Sequence, residues 1–286
     1  MSSVCGVDVS DCLHEKHFLA LARIVESHTG IRLPPSKRIM LEGRLRRRVR
    51  ALGLSTLSEY GDAIFDGGRL SEEFDHVVDC ATTNKTDFFR EPDHFVFLQE
   101  HAIPTLSQRS KGREAALKFW SAAASNGAEA YTIAMVAAEA LGFDLRAFSV
   151  LGTDINREVI AVARRAIYPP AFADPIPRAL RDRYLMVSRD AGCLETRIVP
   201  ELRRAVRFET LNLMDARYPV DRDFDVVFCR NVLIYFTKVT QDAVTRRLCG
   251  HLRIGGYLML GHAESVAGSD QSILRQVAPT IFRRVV

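Results

Sequence analysis

The sequence predicts an α/β protein, a doubly wound and mostly parallel sheet preceded by a small all-helical domain. Three observations carry that reading. From residue 117 onwards strand-like apolar runs alternate with helical ones, at 117–123, 129–141, 147–153, 156–167, 205–212, 224–229, 239–253, 256–261 and 280–286, the pattern of parallel strands with helical crossovers. Residues 1–83 carry apolar residues at helical spacing only. Between Tyr168 and Val206 the alternation lapses: Pro169, Pro170, Pro175 and Pro177 precede a short helix and the segment ETRIVPEL, which suits a small β-hairpin excursion. The 286 residues therefore divide into a helical domain at 1–83 and an α/β domain at 84–286, with an insertion at about 168–206.

In the helical domain, Phe18, Leu21, Ala22 and Val25 form a stripe that Gly30 is placed to end. Pro34 and Pro35 break the chain. Ser36 is placed to cap a second helix, with Leu41, Leu45, Val49 and Leu52 as its apolar stripe and Gly53 as its terminator. Thr56 and Glu59 have capping-box spacing, and Ser71 is placed to cap a fourth helix bearing Phe74, Val77 and Val78. The second helix reads KRIMLEGRLRRRVR, seven basic residues against the single acid Glu42. Arg46, Arg47 and Arg50 fall opposite the apolar stripe, and the run lacks the mixed signs of an ordinary solvated face. It suits an acidic partner. Charge alone allows nucleic acid or an acidic protein surface, although no aromatic residues interleave with the arginines as a stacking platform needs.

From Thr83 the composition turns to TNKTDFFREPDHF, polar and then aromatic, leading into a helix that runs towards Ile103. The stretch LKFWSAAASNGAE, residues 117–129, then ends an apolar run in a loop of small residues that opens a helix, where backbone can approach a ligand closely. The next strand closes on Asp154, where an acid can accept hydrogen bonds from both ribose hydroxyls. This is not the glycine-rich loop of dinucleotide binders, since Gly127 stands among Ala122, Ala123, Ala124 and Ser125. Pyrophosphate favours a bare helix N-terminus, and Glu129 there would repel it. A phosphate-free cofactor with a cationic centre, such as S-adenosylmethionine, fits better.

Composition adds exclusions. At 47% hydrophobic, 26% charged and a formal net charge of +4 the chain is ordinary for a soluble globular protein. No apolar run reaches membrane-spanning length and the first residues include acids, so no membrane insertion, no signal peptide and a cytoplasmic location are expected. Cys5, Cys12, Cys80, Cys193, Cys229 and Cys249 form no CxxC pair, and His14 and His17 lack further ligands at metal spacing. Structural thiols and no metal are expected.

Together, TNKTDFFREPDHF, WSAAASNGAEAYTIA and FDVVFCRNVLIYF, with GYLMLGHAES following, resemble the CheR family of chemoreceptor glutamate methyltransferases, in order and spacing across essentially the whole chain. The resemblance implies a seven-stranded, Rossmann-like methyltransferase sheet with a small β-subdomain inserted. It also implies methyl transfer from S-adenosylmethionine to receptor glutamates, giving γ-methyl esters and S-adenosylhomocysteine. Carried over by motif, the cofactor contacts fall on Asn84, Thr86 and Arg90 in the linker, on Glu129, on Asp154, on Asn212 and Leu213 in TLNLMD, and on Arg230 and Asn231 in CRNVLIY. Glu129 suits the α-amino group and Asp154 the ribose, while Asn212 suits the adenine edge with Leu213 over its face. From the residues alone, Asn84 and Thr86 read rather as turn residues, and Asn212 as a strand-end cap. Where the family reads GEEPY, Gly127, Ala128, Glu129, Ala130 and Tyr131 keep only the second acid. Members that dock on a receptor's tail peptide share a glycine-rich loop in the insertion. Here Val187 to Cys193 reads VSRDAGC, with one glycine, so tail docking is expected to be absent. Recognition of the receptor's helical region then rests on Arg46, Arg47 and Arg50.

A glutamate side chain is ionised at neutral pH and needs no general base, so the catalytic task is positioning in a water-poor crevice. Arg90 is expected to close the site, and Tyr235, on the stretch leaving the strand at 224–229, to orient the substrate carboxylate. Two other functions compete. A nucleic-acid methyltransferase calls for an NPPY-like turn or a Pro-Cys nucleophile, and the chain has CRNVLIY and no Pro-Cys. A non-catalytic cofactor sensor would not need Arg90 and Tyr235 beside a complete cofactor set.

Overall fold

The computed structural model describes residues 11–109, 116–188, 194–266 and 272–286. The chain forms two compact units, Met1–Thr83 and Asn84–Val286. In the first, helix α1 (Glu15–Thr29) ends on Gly30 at φ 73°, whose N–H returns to the Glu26 carbonyl. A 3-10 turn, Pro35–Lys37, runs directly into α2 (Arg38–Ala51), so Ser36 lies inside that turn and caps nothing, contrary to expectation. Gly53, at φ 71°, lets Leu54 N–H return to the Val49 carbonyl at 3.0 Å and closes α2. Thr56 caps α3 (Leu57–Phe65) by accepting from Glu59 N at 3.1 Å, and the Glu59 carboxylate reaches back to Ser55 N at 2.7 Å. Helix α4 (Leu70–Ala81) starts after Arg69, which leaves Ser71 in its first turn rather than at the cap. Phe18, Leu21, Leu41, Leu45, Leu57, Tyr60 and Val77 fill the core between these helices. His17 belongs to that core as well, stacked on Phe65 at 5.2 Å.

The basic run of α2 is far more paired than its local spacing indicates. Arg38 bonds Glu42 at 2.9 Å, Arg44 donates to the Cys80 and Thr82 carbonyls, and Arg48 grips Glu73 at 2.8 and 2.7 Å. Arg46, expected to face an acidic partner, is held by the Asp11 side chain and carbonyl. All of these partners but Glu42 lie outside α2, where i,i+4 reasoning does not reach. Arg47 and Arg50 lie on the exposed face.

The second unit begins with α5 (Pro92–Phe97), a π turn (Leu98–Ala102) and α6 (Ile103–Arg109). Pro104 cannot donate to the Glu100 carbonyl, and the widened turn lies just before it. Then follow β1 (Leu117–Ala122), α7 (Ala128–Ala140), β2 (Phe148–Asp154), α8 (Arg157–Arg165), β3 (Ile167–Tyr168), α9 (Arg178–Tyr184), β4 (Leu185–Val187), β5 (Thr196–Ile198), α10 (Pro200–Arg204), β6 (Val206–Thr210), β7 (Phe224–Cys229), α11 (Lys238–His251), β8 (Leu252–Leu260), β9 (Leu274–Ala278) and β10 (Ile281–Arg284).

The main sheet has seven strands in the order β6-β2-β1-β7-β8-β10-β9, parallel except for β10, which runs antiparallel to both neighbours. This agrees with the predicted fold class. Strand order reverses between β1 and β7, and folds of this kind bind ligands beyond the carboxyl ends of the strands at such a switch point. Helix α7 is buried along nearly its whole length against this sheet, as its unbroken apolar sequence requires. The insertion is a three-stranded antiparallel sheet, β3-β5-β4, rather than a simple hairpin. Residues 189–193 of the loop expected to lack tail docking lie outside the described residues, as do Cys5 and Cys193. Cys12, Cys80, Cys229 and Cys249 are thiols. No described helix is long and apolar enough to cross a membrane.

Candidate active site

Between β1 and α7 the loop takes left-handed backbone at Ala123 (φ 63°), Ser125 (φ 51°) and Gly127 (φ 89°). Only Gly127 demands glycine on steric grounds, because a Cβ there would stand 2.8 Å from Ala163 Cβ and 2.9 Å from Phe208 Cζ. The rest of the loop is held by hydrogen bonds from Ala124 and Ser125. Ala124 N donates to the Thr153 carbonyl at 2.8 Å, Ser125 N to Asp154 Oδ2 at 2.8 Å, and Ser125 Oγ to the Asn84 carbonyl at 2.9 Å. Asp154 Oδ1 also accepts from Asn156 N at 2.9 Å. Asp154 therefore holds the cradle in shape, a role its sequence position did not reveal. Burial raises its carboxyl above the usual range, opposed by these N–H donors. A carboxylate offers about four acceptor positions, which leaves room for a ligand hydroxyl.

Glu129, in the first turn of α7, accepts from Ser121 Oγ at 2.7 Å and from Arg230 Nη1 at 3.1 Å. Arg230 follows β7, is buried, and lies 5.4 Å over the Phe95 ring. It also donates to Glu91 Oε2 at 2.9 Å and to the Arg90 carbonyl. Asn231, at φ 58°, donates to Glu91 Oε1 at 3.1 Å. Burial alone would raise the Glu91 carboxyl, but the bonds from Arg230 and Asn231 hold it down at about 2. Burial wins at Glu129, which is raised despite the pull of Arg230. The buried His94 ring, 3.6 Å from Glu91, is driven down to about 4 by burial and by the Arg230 charge, and is neutral at neutral pH. Two carboxylates thus share one guanidinium, and Asp154 ends β2, the strand beside β1. Such a crevice favours a cation. Glu91, His94 and His262 place ligating atoms within 4.8 Å of one another, but the Arg230 guanidinium already on Glu91 opposes a metal ion there.

Comparison with known proteins decides the family. Residues 84–282 match the CheR methyltransferase SAM binding domain, and residues 16–82 match the CheR methyltransferase all-alpha domain. The chain belongs to the CheR methyltransferase family. The chemotaxis protein methyltransferase of Salmonella typhimurium is 38% identical over 255 residues, covering 88% of this chain and 85% of that protein. That of Escherichia coli is 37% identical over the same shares, and chemotaxis protein methyltransferase 2 of Pseudomonas aeruginosa is 35% identical over 89% of this chain and 88% of its own. The chain is accordingly a methyltransferase of chemotaxis that uses S-adenosylmethionine.

The remaining expected residues of this CheR chain gather unevenly. Arg90 turns its guanidinium onto the Lys85 carbonyl at 3.0 Å, while its own carbonyl takes Arg230. Asn84 joins the cradle through its carbonyl, and Thr86 is half-buried in the same linker. Asn212 Oδ1 accepts from Met214 N at 2.9 Å in a turn after β6, and the Leu213 carbonyl accepts from Tyr218 and Arg247, both at 2.8 Å. Tyr235 ends the short 3-10 turn Leu233–Tyr235 and is half-buried. Arg46, Arg47 and Arg50 belong to the other unit. Sequence reasoning passed over Ser121, Glu91 and Glu264, although Glu91 lies in TNKTDFFREPDHF and Glu264 in GYLMLGHAES. An acid in a motif of unassigned purpose was the available signal.

Proposed function

We propose that the protein transfers a methyl group from S-adenosylmethionine to glutamate side chains in the cytoplasmic helical region of chemoreceptors, forming γ-glutamyl methyl esters for sensory adaptation. The observation that carries this reading is the buried cluster in which Glu91 and Glu129 share the single Arg230 guanidinium, a local excess of acid that fits a cationic donor. When bound, S-adenosylmethionine supplies the electrophilic methyl that a carboxylate oxygen attacks, leaving S-adenosylhomocysteine and a methyl ester. Glu129 receives the donor's α-amino group and Asp154 its ribose. Asn212 and Leu213 hold the adenine. Asn84 and Thr86 border the cofactor from the linker, and Arg230 and Asn231 fix the acids that face it.

Arg90 closes the crevice over the reacting groups. Tyr235 orients the incoming carboxylate by hydrogen bonding, without the tight cation that would blunt the nucleophile. No side chain has to remove a proton. Residues 1–83 form the receptor-docking domain and residues 84–286 the catalytic one, with an insertion at about 168–206 that does not take a receptor tail peptide. Receptor docking uses Arg47 and Arg50, with Arg46 committed to Asp11. The enzyme acts in the cytoplasm, without nucleic acid, metal or membrane insertion.

The test uses methyl-labelled S-adenosylmethionine with receptor fragments and, separately, RNA. Labelled receptor whose methyl is released as methanol in base is expected, and base-stable label or labelled RNA would refute the proposal. At saturating cofactor, turnover should be flat through neutral pH and fall only as the substrate carboxylate protonates, near about pH 4 to 5.

A further inference from the structure

The loop that leaves β7 carries Asn231 and Tyr235, yet its backbone is organised by a side chain from the loop after β8. Glu264 is buried, and its two oxygens collect four main-chain donors. Oε2 accepts from Gly261 N at 2.7 Å and Asn231 N at 2.9 Å, while Oε1 accepts from Leu233 N at 2.7 Å and Ile234 N at 3.3 Å. Its own N–H closes the turn onto the Gly261 carbonyl at 2.8 Å. Four donors fill the roughly four acceptor positions of a carboxylate, so Glu264 has no capacity left to act as base, nucleophile or metal ligand.

What it can do is hold shape. Asn231 sits in left-handed backbone, and the first amides of the turn Leu233–Tyr235 have no acceptor within that turn. The opposite side is packed as tightly. A Cβ on Gly261 would stand 2.6 Å from Asn231 Nδ2, 2.9 Å from Asn231 N and 2.9 Å from Glu264 Oε2.

We infer that Glu264 is a positioning residue for methyl transfer: by clamping the backbone of residues 231–234 to the loop after β8 it sets the placement of Tyr235. This rests on the role proposed above for Tyr235. A misplacement of about 1 Å in a positioned group costs about 100-fold in rate.

Glu264→Gln keeps the side chain's shape but turns an NH₂ against two N–H donors. It is expected to lower kcat, measured at saturating cofactor, about 10- to 100-fold. In a Tyr235→Phe background the same substitution should cost less than about threefold in kcat, because the group it positions is already gone. Amide hydrogen exchange at Asn231, Leu233, Ile234 and Gly261 should speed up together. Gly261→Ala, which removes no donor or acceptor, supplies the same readings should Glu264→Gln fail to fold. Additive losses in the cycle with Tyr235→Phe, or unchanged exchange at those four amides, overturn the inference. Absence of label on receptor fragments from the wild-type enzyme instead refutes the proposed function, and the exchange rates keep the two failures apart.

Discussion

Two buried acid–arginine clusters in this molecule look alike and are built to opposite ends. In the helical unit, Glu73 meets Arg48 through two bonds at 2.8 and 2.7 Å and accepts from Tyr60 at 3.2 Å, one acid for one cation. In the α/β unit, Arg230 serves Glu91 at 2.9 Å and Glu129 at 3.1 Å, two acids for one cation. The hydrogen bond from Arg48 holds the Glu73 carboxyl below its usual range, whereas burial leaves Glu129 above it. A balanced pair is closed and architectural. An unbalanced one retains negative charge, which on the function proposed above a cationic ligand completes.

Removing either arginine breaks that contrast most forcefully. Arg48→Met and Arg230→Met each strand buried carboxylate and should each cost about 3–5 kcal/mol in chemical denaturation. Only the second should also abolish binding of S-adenosylhomocysteine in calorimetry, since stranded acids take up protons and the excess negative charge disappears. The Arg48→Met protein should still gain melting temperature with excess ligand. Equal ligand affinity in the two variants would erase the distinction between the clusters.

A smaller effect sharpens it. Because Glu129 is raised above its ordinary 4.5, cofactor affinity should fall with decreasing pH from a point above 4.5, as the free protein's Glu129 takes a proton that the bound cation would expel. Glu91 cannot supply this limb. Its carboxyl is lowered from 4.5 to about 2, so the stability it adds is complete above pH 4.5 and is lost only as pH falls from there towards about 2. Glu129→Gln should cost about 10-fold in affinity and flatten the acid limb, as titrations at several pH values will read. An acid limb that survives the substitution places the titrating group elsewhere.

The contrast was only half legible in the sequence, for a physical reason. Features set by neighbours a few residues apart could be read: Gly30 and Gly53 as helix ends, Thr56 with Glu59 as a cap, and Glu129 and Asp154 at fixed stations on a strand–loop–helix unit. Ser36 and Ser71 misled because Pro35 and Leu70 start their turns earlier than the caps they offered. Strand β9 shows only one fully buried position in five, which erases the alternation that marks a strand. The clusters themselves join residues far apart, Glu91 to Arg230 across 139 positions and Arg48 to Glu73 across 25, so no local window contains them. Charge run and charge balance are different quantities, and only the fold reports the second.

The smallest expected effect concerns the face of α2 that the balanced cluster leaves outward. Arg47→Glu with Arg50→Glu changes the formal net charge from +4 to 0. A loss of receptor affinity could then follow from that global change rather than from the local surface. Arg146→Glu with Arg178→Glu is the matched control, since both side chains are nearly fully exposed on the α/β unit and the net charge falls equally. If α2 steers docking, the first pair should raise KM for receptor about 3- to 10-fold, flatten its salt dependence and leave S-adenosylhomocysteine affinity alone, while the control pair stays within about twofold. Equal shifts from both pairs would reduce α2 to one contributor to an overall field, since a Debye length near 10 Å at 0.1 M salt lets a local patch, but not a distant one, act on the partner's nearest acids.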